Sequence, residues 1–332
     1  MPGQISIAIT GMGRIGRTIL RQIALQGKDS PFRVVHLNDI APLETIAYLL
    51  RFDSVFGGFP GQIETEGDAL ILNGQRIAFT RSGDLDVDLS GVDLLMECTG
   101  KARTRDWAER GLHRGAGGVL ISGPSPAVDV TVVMGANDAA LGQARIVSNA
   151  SCTTNALAPV LSALDQAWGI ESAHMTTIHC YTGSQPMIDA PRDDLARSRA
   201  GALSMVPTTT SATSLMDEVL PHLAGRISGA AVRVPTASVS SIDLVVQARD
   251  LPAGDLRGPL KALAELAPVI GWTDWPNVSS DMRARPESVI LALPETKRIG
   301  KSQLRLFGWY DNEWGFSARM LDMAQRMAER RP

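Results

Sequence analysis

The chain has 332 residues, 44% of them hydrophobic and 20% charged, with a formal net charge of −3. That length fits two domains of ordinary size rather than one small core. No apolar run approaches the roughly 18 residues that a membrane span needs, and with no basic tail or block of like charges neither nucleic acid nor a membrane surface is the expected partner.

The opening MPGQISIAIT lacks the basic-then-apolar layout of a secretory leader. Alternating Ile5, Ile7 and Ile9 predict a strand. Gly11, Gly13 and Gly16 follow as G-x-G-x-x-G, and Ile15, Ile19, Leu20 and Ile23 then recur at helical spacing up to Gly27. Strand, glycine turn and helix in that order form a dinucleotide fingerprint. The glycines let backbone approach a pyrophosphate, and the helix N-terminus offers it N–H groups and positive dipole. A second strand, FRVVHLND, ends at Asp39, 23 residues beyond Gly16. A carboxylate there accepts from the ribose hydroxyls and repels a 2′-phosphate, which favours NAD over NADP.

VDLLMECTG, GGVLISGP, DVTVVMGAN and RIVSNA read as further strands, and residues 101–115 have helical composition. Strands alternating with helices predict an α/β fold with a doubly wound, mostly parallel sheet whose ligands sit beyond the carboxyl ends of the strands. Thr99-Gly100 and Ser122-Gly123-Pro124 fall at two such ends, where turn chemistry and cofactor contact are both open.

The three cysteines, Cys98, Cys152 and Cys180, form no CxxC pair, so no metal site is expected. Their odd number favours a reducing compartment, the cytoplasm. Cys98 and Cys180 read as small buried hydrophobes. Cys152 differs. It follows the last strand of the sheet and opens a run, Ala156, Leu157, Val160, Leu161 and Leu164, at helical spacing up to Gly169, in which Pro159 is expected to bend the helix or confine its regular part. A thiol at a helix N-terminus is expected to have a lowered pKa, with N–H groups nearby to stabilise an oxyanion. His174 and His179 lie on the next strand, an odd number of residues apart. They face opposite sides, so one of them can point at the cysteine, and spacing alone does not choose.

SNASCTTNALAP, TTIHCYT, RVPT and WYDNEWG, with the opening GMGRIGR, resemble the phosphorylating glyceraldehyde-3-phosphate dehydrogenases along nearly the whole chain. The resemblance implies a Rossmann domain over residues 1–150 joined by a C-terminal helix, 314–332, and an α+β catalytic domain with a mostly antiparallel sheet over 151–313. The helix carries an apolar stripe, Phe316, Met320, Met323, Ala324 and Met327, to pack on the first domain. The resemblance also implies a homotetramer, with the long, weakly periodic segment 183–205 at a subunit contact. Cys152 is then the nucleophile and His179 its base. The thiol adds to an aldehyde phosphate, hydride leaves to NAD, and inorganic phosphate opens the thioester.

By the same resemblance Thr182 and Arg233 hold one phosphate, and Ser151, Thr153, Arg197, Thr210 and Ser211 hold the other. Hydroxyls and guanidinium forks suit phosphate oxygens. Arg233 stands among apolar residues, where an unpartnered arginine is unusual, whereas Arg197 and Arg199 could simply be solvated. For the cofactor the family implies Arg14 and Ile15 at the pyrophosphate, Asp39 at the ribose and Asn312 at the carboxamide, with Ser122 and Arg81 in the same cleft. The chain departs from the family pattern at Thr10, Ala156, Ala190, Ala196, Ser211 and Phe316. ALDQAWGIESAHMTTIH and NEWGFSARMLD also resemble erythrose-4-phosphate dehydrogenases, which use water in place of phosphate. Thr182 and PTTTSAT keep the anion-binding hydroxyls, which favours the phosphorylating reading. A paralogue acting on another aldehyde phosphate and a dinucleotide-binding protein without turnover are the remaining alternatives.

Overall fold

The alternating isoleucines form the centre of a sheet because both faces of their strand, Ile5–Thr10, are covered; Ile7 and Ile9 are fully buried. The computed structural model describes residues 4–330, which fall into two units. The first takes in the chain to Val132, Ala139–Ala150 and the C-terminal segment from Ser317; the second takes in Val133–Asp138 and Ser151–Phe316.

Nine strands build the sheet of the first unit. From one edge they run Val130–Thr131, Ile146–Ser148, Gly118–Ile121, Leu94–Glu97, Ile5–Thr10, Phe32–Asp39 and Gln75–Arg81, all parallel, then Ala69–Leu72 and Ile63–Glu66, which are antiparallel. Ile5–Thr10 has Phe32–Asp39 on one side and Leu94–Glu97 on the other, so the strand order reverses there and opens a crevice beyond its carboxyl end. The helix Arg14–Gln26 starts at that point. The helix Arg105–His113 begins on Thr104, whose hydroxyl accepts from the Trp107 N–H at 3.4 Å. DVTVVMGAN contributes only Val130–Thr131 to the sheet, because Val133 N–H turns to the side-chain oxygen of Asn137, 2.8 Å away.

The second unit holds a mixed sheet. Its order is Val206–Thr208, Ile227–Val234, Ile170–Cys180, Ser240–Ala248, Gln303–Tyr310, Val289–Ala292 and Ile270–Thr273, with Lys297–Ile299 also paired to Gln303–Tyr310. All pairs are antiparallel except Ile170–Cys180 with Ile227–Val234 and Ile270–Thr273 with Val289–Ala292. The helix Cys152–Trp168 runs on through Pro159, so the proline does not confine its regular part. Gly135 packs by the proline: a Cβ on it would lie 2.8 Å from Val269 Cγ2 and 3.4 Å from the Pro159 Cβ.

The last helix spans Trp314–Glu329, and its first three residues belong to the second unit rather than the first. Phe316, Met320, Met323, Ala324 and Met327 are all buried, as the stripe predicts. The final two residues of the expected 314–332 segment lie outside the described residues. Among the described residues no helix is long and apolar enough to cross a membrane.

Candidate active site

Each glycine of the fingerprint has its own physical reason. Gly11 sits at φ +88°, and a Cβ on it would lie 2.6 Å from the Cys98 carbonyl carbon and the Thr99 nitrogen. A Cβ on Gly16 would lie 2.2 Å from the Gly11 carbonyl oxygen. Both positions exclude any side chain on packing grounds. Gly13, at the N-terminal boundary of the helix Arg14–Gln26, faces open space. The first helical bond runs from Arg17 N–H to Gly13 O, so the N–H groups ahead of it have no helical acceptor. This is a turn shaped for a pyrophosphate. Ile15 lies in that first turn. The Arg14 side chain is committed elsewhere, to an ion pair with Asp53 and a place over the Phe56 ring. Burial raises the Asp53 pKa, but the Phe56 N–H, Arg14 and the Val55 N–H outweigh it and hold the carboxyl below its usual range.

Asp39 ends its strand with its carboxylate aimed back at the turn. One oxygen accepts from Met12 N–H at 2.6 Å and the other from Ala41 N–H at 2.8 Å. Each oxygen keeps a lone pair for a ribose hydroxyl. Asp39 lines a pocket of about 210 Å³ with Gly11, Gly13, Ile40, Ser82 and Thr99. Thr99 N–H is held at 2.9 Å by Glu97, a buried carboxylate paired with Arg110 at 3.0 Å. The glycine cradle, the acceptors on Asp39 and the open face of Gly13 fit NAD.

Two expected neighbours are placed differently. Arg81 donates through Nε to the Ile40 carbonyl at 3.0 Å and is not among the pocket-lining residues; the strand ends there, and Ser82 and Gly83 turn into the pocket instead. Ser122 also does not line it, since its side chain bonds the Cys98 thiol. Cys98 does line the pocket, although the sequence reads as core there. Lys101 and Trp107 line it as well and were not singled out by sequence, as does Thr10, noted there only as a departure from the family pattern. Replacing Asp39 with Ala is expected to raise the ratio of NADP to NAD turnover at least about tenfold, because a charge that repels the 2′-phosphate is lost. Parallel kcat/KM measurements with the two cofactors check it, and an unmoved ratio would place selectivity elsewhere.

A second pocket, of about 370 Å³, lies wholly in the second unit. Ser151, Cys152, Thr153, Thr177, His179, Arg197, Thr209, Thr210, Ser211, Ala231 and Arg233 line it. Cys152 is the first residue of its helix. Ser151 caps that helix by accepting from Thr154 N–H at 3.0 Å, which leaves the Cys152 and Thr153 N–H groups directed at the pocket. Ala150, just before, is fully buried with φ +54°, a left-handed conformation that a residue with a side chain adopts only under constraint.

The choice between the two histidines is settled by geometry. His179 Nε2 lies 3.6 Å from Cys152 Sγ. His174 points to the opposite face, where its ring bonds Ser228. His179 and Arg233 are register partners on two parallel strands, so their side chains share one face. Arg233 Nη1 lies 2.6 Å from His179 Nδ1 and donates to the Cys180 carbonyl at 3.1 Å. Tyr310 supports three of the lining residues: its hydroxyl lies 2.9 Å from Thr153 Oγ1 and 2.8 Å from Thr177 Oγ1, and its ring meets His179 edge-on. Neither Tyr310 nor Thr177 was singled out from sequence. The signal available was a tyrosine inside WYDNEWG, at the end of an apolar strand.

Burial dominates the electrostatics here. It pushes the Cys152 thiol up, against the pull of the Arg233 charge and of the Thr153 hydroxyl and N–H. This reverses the sequence expectation of a lowered pKa, because the helix end is walled in. Burial, reinforced by Arg233, pushes His179 down to about 4. Burial thus favours the neutral form of each. Proton transfer between them creates both charges together, and each then stabilises its partner at short range. Cys98 and Cys180 are pushed up by burial to about 12 and stay protonated. Cys180 donates to the Asn312 side-chain oxygen at 3.2 Å, which leaves the Asn312 amide hydrogens as donors.

Of the phosphate-type residues, Ser151, Thr153, Arg197, Thr210, Ser211 and Arg233 come together, with Thr209 added. Thr182 does not line the pocket; its hydroxyl is bonded to Ser184 at 2.9 Å. Arg197 reaches in from the loop, held by Asp194 at 3.5 Å and by the Thr208 hydroxyl at 3.3 Å. Arg199 pairs with Asp189 at 2.8 Å, away from the lining. Among the described residues no group of three or more His, Cys, Asp and Glu side chains could hold a metal.

A parallel sheet with a glycine cradle in one unit, and a thiol–imidazole pair in the other, define the class as an NAD-binding oxidoreductase. Two family profiles agree. The NAD binding domain of glyceraldehyde 3-phosphate dehydrogenase matches residues 5–105, and the C-terminal domain matches residues 151–312. The glyceraldehyde-3-phosphate dehydrogenase of Xanthobacter flavus is 45% identical over 332 residues, 98% of this chain and 99% of its own. That of Cereibacter sphaeroides is 46% identical over 330 residues, 97% and 98% of the two chains, and that of Pseudomonas aeruginosa is 44% identical over 332, 98% and 99%. The chain belongs to the glyceraldehyde 3-phosphate dehydrogenase family.

Proposed function

We propose that the protein oxidises glyceraldehyde 3-phosphate with NAD and inorganic phosphate, giving 1,3-bisphosphoglycerate. The observation that carries this reading is the 3.6 Å approach of Cys152 Sγ to His179 Nε2 in a pocket that is also lined by two arginines and by the hydroxyl residues Ser151, Thr153, Thr177, Thr209, Thr210 and Ser211. His179 Nε2 takes the thiol proton as Sγ bonds the aldehyde carbon. The carbonyl electron pair moves to oxygen, where the Cys152 and Thr153 N–H groups meet the developing charge. The proton returns to that oxygen and completes a thiohemiacetal. Nε2 then draws the hydroxyl proton as the carbonyl re-forms, leaving a thioester on Cys152. NAD, when bound, accepts the hydride that leaves the carbon in this step.

A phosphate oxygen attacks the thioester carbon, the carbon–sulfur bond breaks, and the product leaves as an acyl phosphate. Sulfur suits both halves: it adds readily to a carbonyl and departs readily from an acyl group. Arg233 is the group for the substrate phosphate. Ser151, Thr153, Arg197, Thr210 and Ser211, with Thr209, suit the attacking phosphate. The first unit and the last helix serve as the cofactor domain and residues 151–313 as the catalytic domain. The family's erythrose-4-phosphate branch differs in using water. NADH formation from each aldehyde, with and without phosphate, separates the readings. We expect a rate with glyceraldehyde 3-phosphate that rises at least about tenfold on adding phosphate, since phosphorolysis then replaces slow hydrolysis. A phosphate-independent rate that is faster with erythrose 4-phosphate would overturn the assignment.

The protein is taken to work as a cytoplasmic homotetramer. Met187, Ile188, Leu195, Leu203 and Met205 lie exposed in and around the loop 183–205, a concentration of apolar surface that suits a subunit contact. Light scattering is expected to give the mass of four chains, and a one-chain mass would remove the assembly from the proposal.

A further inference from the structure

The hydroxyl whose phosphorylation separates NADP from NAD belongs to the adenosine ribose, so the base on that ribose lies next to Asp39. Beyond the carboxylate, the pocket of about 210 Å³ is bounded by Ile40, Ser82, Gly83, Lys101 and Trp107. Trp107 supplies the one aromatic ring among the lining residues. It stands in the first turn of the helix Arg105–His113, where its N–H meets the Thr104 cap, and its ring packs on a core cluster that includes Ala102 and Ala108. The indole N–H is shut away from solvent with no acceptor among the described residues. Leucine or phenylalanine would pack on the same cluster without burying an unpaired donor, so packing alone does not account for a tryptophan here.

The ring is also backed by a cation. The Arg110 guanidinium carbon lies 3.6 Å from the ring centroid, a stacking distance. Arg110 is itself pinned at two points: Nη2 donates to Glu97 at 3.0 Å and Nη1 to the Gly83 carbonyl at 2.9 Å. Glu97 is the buried carboxylate that also holds Thr99 N–H, and both Thr99 and Gly83 line the pocket. The indole is thus fixed to the same frame as the pocket wall. Lys101 Nζ stands 5.7 Å from the centroid, on an exposed four-carbon stem that can give way to a planar guest. A cation against one face draws the ring's electron density toward itself, which eases the approach of a second electron-rich ring to the rest of the π-system. A purine is such a ring. We propose that Trp107, backed by Arg110, is a cofactor-binding residue of this chain, the platform on which the adenine of NAD stacks. The inference rests on the reading of Asp39 as the partner of the adenosine ribose.

The test is calorimetry of the full chain with NAD and with ADP-ribose, which keeps the adenosine half and lacks nicotinamide. Trp107→Ala is expected to weaken both ligands by the same factor, at least about fivefold, the scale of one base stacked on one aromatic side chain. Trp107→Phe, which keeps a ring, is expected to stay within about threefold of wild type. Fluorescence supplies a signature that a merely structural role would not move. ADP-ribose should quench the emission of wild type, and the part of the quench that Trp107→Phe loses belongs to one of the chain's six tryptophans. Asp39→Ala, titrated alongside, separates the two readings. Weakened ADP-ribose binding in Asp39→Ala, with Trp107→Ala at wild-type affinity, overturns the platform and leaves the ribose reading standing. Absence of ADP-ribose binding to wild type overturns both. A quench that is the same in wild type and Trp107→Phe also overturns the platform, and this comparison decides the matter even where Trp107→Ala fails to fold.

Discussion

Cys152→Ser is expected to reduce NADH formation by about a thousandfold or more while leaving NAD binding intact, since every covalent step passes through Sγ. A serine hydroxyl is far less acidic than a thiol, and the base beside it is an imidazole held down to about 4. Proton transfer to Nε2 as the bond forms therefore becomes much harder. An ester, if formed, would also be the poorer acyl donor to phosphate. Serine is close to cysteine in size, so the cap on Ser151 and the start of the helix are undisturbed. The glycine cradle and Asp39 belong to the other unit and give NAD its own binding site. Turnover above a tenth of wild type would rule out the covalent route. Mass spectrometry of enzyme quenched during turnover offers an independent check, since wild type should carry an acyl adduct on Cys152 and the variant none.

His179→Asn ranks second, with an expected loss in kcat of about a hundredfold or more, the usual scale for removing a positioned base. The amide can bond the thiol but cannot hold its proton. The same variant carries a stability prediction. The folded ring protonates near pH 4 and an ordinary imidazole near 6.5. Between those values the unfolded chain binds the extra proton, so wild-type stability falls as pH drops from 6.5 to 4, by about 3 kcal/mol in all, and is insensitive to this group above 6.5. His36, whose pKa burial also lowers, adds a slope of the same sign in both proteins. Subtracting the variant from the wild type isolates His179. Urea unfolding at pH 7, 5.5 and 4.5 should show the wild type losing more stability than the variant. Parallel loss in the two proteins would mean that the ring is not buried neutral.

Much of this site is legible in the letters of the chain. Gly11 and Gly16 announce themselves because no side chain fits at either place, and Asp39 because a strand of alternating apolar residues ends on it. The start of the Cys152 helix is legible because an apolar run at helical spacing follows the end of a strand. What sequence could not supply is whatever depends on contacts far along the chain. Spacing left His174 and His179 equal, and only the seating of the helix on the sheet chose between them. The sign of the Cys152 shift depends on how completely residues as distant as Tyr310 enclose it. Arg81 and Thr182 looked placed by family pattern, yet a bond to the Ile40 carbonyl and a local hydroxyl pair direct them elsewhere. The antiparallel strands Ile63–Glu66 and Ala69–Leu72 are not marked in the sequence analysis; the first, IETE, is exposed at all but its leading residue and offers no apolar run to register.

The in-step pairing of Ile170–Cys180 with Ile227–Val234 limits how this protein can change over time. Single replacements along either strand alter one contact each. One added or deleted codon within either strand would slide the guanidinium off its partner and turn it to the sheet's opposite side, because side chains alternate with every residue. Length variation among descendants of this gene should therefore collect in the connecting loops, and those two segments should stay the same size however far their letters drift.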